Sequence, residues 1–125
     1  MYYLNLFALK HFALPLENED AEWTHEKVEL LLQSGDTKIV LNTLLSIAFY
    51  DNDWQWVQDT CLRLIDGHKD QQVIELAITC IGHTARVNGM IDKEIVSAKF
   101  DSLKHDPQLA GRIEDAWGDI MTFVK

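Results

Sequence analysis

Residues Asp53–Ile81 slide without a gap onto Asp92–Ile120, an offset of 39 residues, and bring together Asp53/Asp92, Val57/Val96, Leu64/Leu103, Ile74/Ile113, Glu75/Glu114, Ala77/Ala116 and Ile81/Ile120. Cys61/Phe100 and Ile78/Trp117 also keep apolar character. Chance identity at ordinary composition gives roughly two matches over such a stretch. A period near forty that holds two helical patterns predicts stacked helical hairpins. Such a unit cannot bury its apolar face alone, so its neighbours must supply the burial. Stacks of this kind present extended binding surfaces and rarely carry chemistry.

The hairpins can be placed by their start and stop signals. Thr24 caps a short first helix with Val28, Leu31 and Leu32 on its apolar face, and Gly35 ends it. Asp36 or Thr37 opens a second helix, in which Val40, Leu41, Leu44, Leu45 and Ala48 recur at helical spacing. Asp53 caps a third with Trp54, Val57, Cys61, Leu64 and Ile65, closed by Gly67. Asp70 caps the fourth and longest, with Val73, Ile74, Ala77, Ile78, Ile81 and Ala85 inward and Asn88-Gly89 as its stop. Asp92 caps the fifth (Ile95, Val96, Phe100, Leu103), and Pro107 suits the first turn of the sixth. Leu109, Ile113, Ala116, Trp117, Ile120 and Phe123 form the buried face of that last helix.

The expected architecture is all-α: three stacked antiparallel helical hairpins over 24–50, 53–88 and 92–124, in a single domain of 125 residues. No alternating apolar and polar strand pattern competes. The apolar stretch Met1–Leu14 lacks an early positive cluster and a cleavage site and is too short to span a bilayer. It is expected to cap the first hairpin, as a helix or an extended segment, with Glu17–Glu22 as a solvated connection.

With the hairpins placed, the chain resembles HEAT-type and armadillo-like repeat proteins. The segments that carry the resemblance are Val73-Ile-Glu-Leu-Ala-Ile-Thr-Cys-Ile-Gly-His-Thr-Ala-Arg86 and Asp106-Pro-Gln-Leu-Ala-Gly-Arg-Ile-Glu-Asp-Ala-Trp-Gly-Asp-Ile120. The first is similar to the inner-helix pattern, with small Ala77 and Gly82 where helices approach closely. In size, charge and repeat type the chain also resembles small bacterial immunity proteins of polymorphic and contact-dependent toxin systems. That resemblance implies a cytoplasmic inhibitor that binds a toxin domain.

Charge narrows the partners. Eleven basic against twenty acidic residues leave a formal charge of -9. Such a field repels phosphate backbones, which argues against nucleic acid, and favours a basic protein partner. Cys61 and Cys80, 19 apart in apolar helical runs, form neither a zinc pattern nor a secreted disulfide framework; buried free thiols fit a reducing cytosol.

Enzyme chemistry finds little support. His11, His25, His68, His83 and His105 are scattered, with no paired ligands one helical turn apart, and no glycine loop cradles phosphate. No metal or cofactor is expected. Cys80 lies near His83 at helical spacing but falls on the apolar face, where a thiolate is disfavoured. The carboxylate pairs Asp51/Asp53, Glu114/Asp115 and Asp115/Asp119 read as caps or solvated faces. General acid–base work needs a carboxyl held in an apolar pocket.

The second helices of stacked hairpins line one wall. Repeat register makes Asn42, Glu75 and Glu114 equivalent, followed one turn later by Ser46, Thr79 and Gly118. A polar stripe is therefore expected across that wall: Asn42, Glu75 and Glu114, widened by Ser46, Thr79, Asp115 and Asp119. It reads either as a solvated face or as an acidic docking strip for a basic toxin domain such as a nuclease. Trp54 and Trp56 bracket the start of the third helix, so one of them is a candidate exposed anchor. A monomeric immunity protein that occludes its toxin is the first functional expectation. A non-inhibitory scaffold or adaptor of the same fold is the alternative.

Overall fold

The computed structural model describes residues 24–125. Six helices follow in order: α1 (His25–Leu32), α2 (Thr37–Tyr50), α3 (Trp54–Gly67), α4 (Gln71–Asn88), α5 (Lys93–Leu103) and α6 (Ala110–Phe123), with no strand among the described residues. The described residues are thus all-helical. The expected N-terminal cap and acidic connection lie outside the described residues.

Five of the six starts are made by the expected side chains. Thr24 Oγ1 accepts from Lys27 N, Asp36 Oδ1 from Lys38 N and Ile39 N, Asp53 Oδ1 from Trp56 N, Asp70 Oδ1 from Gln72 N and Asp92 Oδ1 from Ile95 N. Each satisfies an amide that has no partner within the helix, and loss of one such cap costs about 1 kcal/mol. The sixth start departs from expectation. Pro107 lies in a turn, and the helix begins three residues later at Ala110. Asp106 closes that turn: its side chain accepts from Gln108 N, while its carbonyl accepts from Leu109 N and Ala110 N. At the other end of α4, Gly89 stops the helix in the left-handed region (φ 67°), its N–H donating to Ala85 O at 2.8 Å.

Contacts between hairpins repeat at a fixed step. Arg63 pairs with Glu29, Lys99 with Asp66, Thr37 with Asp70, and Arg112 with Thr79, while Gln58 Oε1 accepts from Asp92 N. Each joins residues 33 or 34 apart. A recurring step of this kind is what a stack of similar units produces. The exposed ion pairs among them hold register more than they stabilise, since surface pairs contribute about 0–1 kcal/mol.

Helix α4 is the centre of the molecule. It packs against α2, α3 and α6, so it is buried nearly all round from Leu76 to Ala85. Val73, Ala77, Ile78, Cys80 and Ile81 are fully buried. Gly82 sits where α6 crosses: a Cβ there would lie 3.1 Å from Ala116 Cα. Ile74, expected inward, is only half-buried. Phe100 and Trp117 meet edge-on at 6.4 Å between α5 and α6. At the opposite end, His25 stacks on Trp56 and bonds Asp51 through Nε2 at 3.0 Å, which joins the start of α1 to the end of α2.

Candidate partner-binding surface

Helices α2, α4 and α6 carry the predicted stripe, and its members do not share one environment. Asn42 and Glu75 line a depression of about 310 Å³ between α2 and α4 with Leu41, Leu45 and Arg112. Thr79, Asp115 and Asp119 line a second, of about 420 Å³, between α4 and α6 with His83, Arg86 and Arg112. Glu114 falls in neither. It belongs to a separate depression with Ser97, Phe100 and Trp117 between α5 and α6. Ser46 is 1% exposed and its hydroxyl donates to Asn42 O, so it presents no surface to a partner. The stripe is therefore divided: among the described helices α4 lies between α2 and α6, while α6 has α4 on one side and α5 on the other.

Arg112 joins the two depressions. Its guanidinium donates to Thr79 Oγ1 at 3.1 Å and lies 3.5 Å from Glu75 Oε1. The repeat equates Arg112 with the fully buried Val73, so periodicity gives no reason to place a cation there. The wall is consequently not purely acidic: Arg112 offsets Glu75.

Between α4 and α6 the chemistry is sharper. Thr79, His83 and Arg86 recur at helical spacing on α4, facing Asp115, Asp119 and Phe123 at i, i+4 and i+8 on α6. Arg86 lies over the Phe123 ring, 5.6 Å from its centroid. Neither Asp115 nor Asp119 forms an ion pair among the described residues. Burial raises the Asp119 carboxyl above its ordinary value; Arg86 works against the shift and Asp115 adds to it. Burial also lowers His83 to about 4, helped by the Arg86 charge, and the ring is tilted against Phe49 at 4.8 Å. A neutral, packed imidazole of this kind builds the floor of the depression.

Both tryptophans at the start of α3 are half-buried, and neither stands on the three helices of the wall. Trp56 packs against the core and His25, which leaves Trp54 as the anchor candidate of the pair. The exposed apolar side chains lie elsewhere. Val87 lies near the end of α4, Met90 just past it and Phe123 at the end of α6, 50%, 49% and 40% exposed, and Leu30, Tyr50, Ile95 and Met121 are exposed as well. Periodicity assigns Phe123 inward, and only the end of the helix shows it half-uncovered.

Cys61 and Cys80 are buried free thiols. Burial pushes Cys61 up to about 12 and Cys80 well above its ordinary value, so neither is available as a nucleophile at neutral pH. No described helix is long and apolar enough to cross a membrane.

No protein-family model matches the chain, and no curated protein does. Among solved structures, it is similar to a chain in the crystal structure of a CDI complex from Cupriavidus taiwanensis LMG 19424. The likeness covers 85% of this chain and 93% of that one, at 28% identity and a TM-score of 0.73.

Proposed function

We propose that this chain is a CDI immunity-type protein, which binds the toxin domain of a contact-dependent growth inhibition system and neutralises it by occlusion. The observation that carries this reading is the near full-length likeness to a chain of a CDI complex, at 28% identity and a TM-score of 0.73. A toxin–inhibitor complex has two sides, and the chemistry of this chain supports the inhibitor side. Its thiols are buried and held protonated, and His83 is packed as a neutral ring.

Steric cover with no turnover then accounts for function. A short HEAT-like stack of three hairpins, one domain throughout, provides a firm wall for that purpose. The formal charge of -9 favours a basic toxin, such as a nuclease whose own surface must attract phosphate. Asn42, Glu75, Thr79, Asp115 and Asp119 are the wall residues proposed to face it. Ser46 drops out by burial and Glu114 by location. The free protein is taken to be a cytoplasmic monomer.

The test is co-expression with the CDI toxin domain taken as its cognate partner. Toxin alone should arrest growth, and co-expression should restore it, with a stoichiometric complex on gel filtration that loosens as salt rises. Continued arrest in the presence of soluble, helical protein, with no complex, would refute the inhibitor reading and return the chain to the adaptor class.

A further inference from the structure

Ion pairs between the hairpins of this stack run in one direction. Arg63 of the second hairpin pairs with Glu29 of the first, and Lys99 and Arg112 of the third pair with Asp66 and Glu75 of the second. Each time the earlier hairpin supplies the carboxylate and the later one the cation. Packing follows the same step. Ile78 and Gly82 lie one turn apart on α4, both buried, and Ala116 of α6 crosses at Gly82. Gln58 of α3, also buried, accepts from Asp92 N at the start of the third hairpin.

The 39-residue register carries this surface onto the third hairpin. Glu75 becomes Glu114, Cys61 becomes Phe100, Ile78 becomes Trp117 and Gly82 becomes Met121. Glu114, Phe100 and Trp117 line one depression of about 380 Å³ between α5 and α6. Met121 follows one turn after Trp117 on the same helix face and is 57% exposed. Glu114 is exposed and, in contrast to Glu75, joins no ion pair among the described residues. The surface that takes a helix and a cation on the second hairpin thus stands open on the third.

Its chemistry narrows the occupant. A face that only closes a stack is polar, whereas Trp117 and Met121 make the centre of this one apolar. Lys104, the counterpart of buried Ile65, pairs with Asp101 and forms part of a charged rim. An apolar aromatic and thioether centre inside such a rim is the anatomy of a protein interface. Another hairpin of the same kind fits poorly. A Cβ alone at Gly82 would already lie 3.1 Å from Ala116 Cα, and Met121 adds a whole side chain at the equivalent position. A second copy would also bring a further charge of -9. A basic helical partner meets each requirement.

We propose that the α5–α6 face of the third hairpin is a docking site for a helix of the toxin domain. A lysine or arginine of that helix pairs with Glu114, as Arg112 pairs with Glu75, and its apolar side chains cover Trp117 and Met121. This rests on the inhibitor reading above and adds a contact beyond the wall residues named there.

The experiment measures binding of the cognate CDI toxin domain to the wild-type protein and three variants, at low and at moderate salt. Glu114→Arg should weaken binding by about 30-fold at low salt and reduce its salt dependence. Met121→Glu should weaken it by about 10-fold, although it makes the protein more acidic, and it serves as the second probe if Glu114→Arg loses helical circular dichroism. Glu26→Lys, the same charge change on the first hairpin, should stay within about threefold of wild type. Tight wild-type binding that Glu114→Arg and Met121→Glu leave within twofold overturns the docking site while the inhibitor reading stands. An equal loss in Glu26→Lys and Glu114→Arg, with Met121→Glu unchanged, also overturns it, since net charge then explains the effect. A free wild-type dimer that Met121→Glu dissolves gives the face to a second copy. Failure of the wild-type protein to bind its toxin domain overturns both readings.

Discussion

Replacing Gly82 by alanine should destabilise the protein, although the same change at Gly118 should stabilise it. Both glycines are interior to helices, where alanine is favoured by about 1 kcal/mol. At Gly118 the added Cβ meets nothing within 4 Å, so that preference is gained whole. At Gly82 it would lie 3.0 Å from Asp119 Oδ2, 3.1 Å from Ala116 Cα and 3.4 Å from Ala116 Cβ. The carboxylate can rotate away. The Ala116 backbone cannot, and apolar carbons prefer about 3.5–4.0 Å, so α6 must retreat by about half an ångström. Forcing a methyl into a packed seam costs about 1–3 kcal/mol, which leaves a net loss of about 1 kcal/mol at Gly82. The propensity gain is common to both variants, so their difference of about 2 kcal/mol isolates the contact between α4 and α6. Urea unfolding followed by circular dichroism measures it, and melting temperatures should separate by about 6–8 °C. If Gly82→Ala is as stabilising as Gly118→Ala, the close crossing of these helices is wrong.

Acid should weaken the fold through His83. Its pKa falls from 6.5 to about 4 on folding, so the unfolded chain binds the extra proton: the contribution is whole above pH 6.5 and is lost as pH falls towards 4. The cost between pH 7 and pH 5 is about 2 kcal/mol, opposed in part by the raised Asp119, and urea midpoints of His83→Gln should show a flatter pH profile over that window. The two thiols should ignore a disulfide reagent at neutral pH until denaturant is added, since both are buried and protonated; rapid native reaction of either would contradict their placement. Glu29→Ala, which removes the half-buried partner of the exposed Arg63, should cost less than about 1 kcal/mol, and a larger loss in urea unfolding would mean that this pair does more than hold register.

Local signals account for what was legible in advance. Thr24, Asp36, Asp53, Asp70 and Asp92 act on amides within three residues, so each cap works whatever the rest of the chain does. Asn88-Gly89 stops α4 for an equally local reason. At Pro107 the expectation fails: Pro107 lies in the turn that Asp106 closes, and the helix begins at Ala110. The site was less legible. Equivalence by repeat register assumes that each second helix has the same neighbours. Glu114 and Glu75 part company because α4 lies between two helices of the wall and α6 lies at its edge. Arg112 escaped notice for the related reason that its position reads as core in the preceding repeat.

The order of residues by itself determined the helical class, five of the six helix starts, the burial of both cysteines and the negative field. These depend on hydrogen bonds within a turn, on side-chain periodicity and on counted charge, none of which needs a distant partner. Only the tertiary structure decided which polar residues share a surface. It set Arg112 against Glu75 and Thr79, left Asp115 and Asp119 facing Arg86, and uncovered Phe123 beneath the Arg86 guanidinium. Those outcomes follow from how closely α6 can approach α4 at Gly82, a distance between residues far apart in the chain.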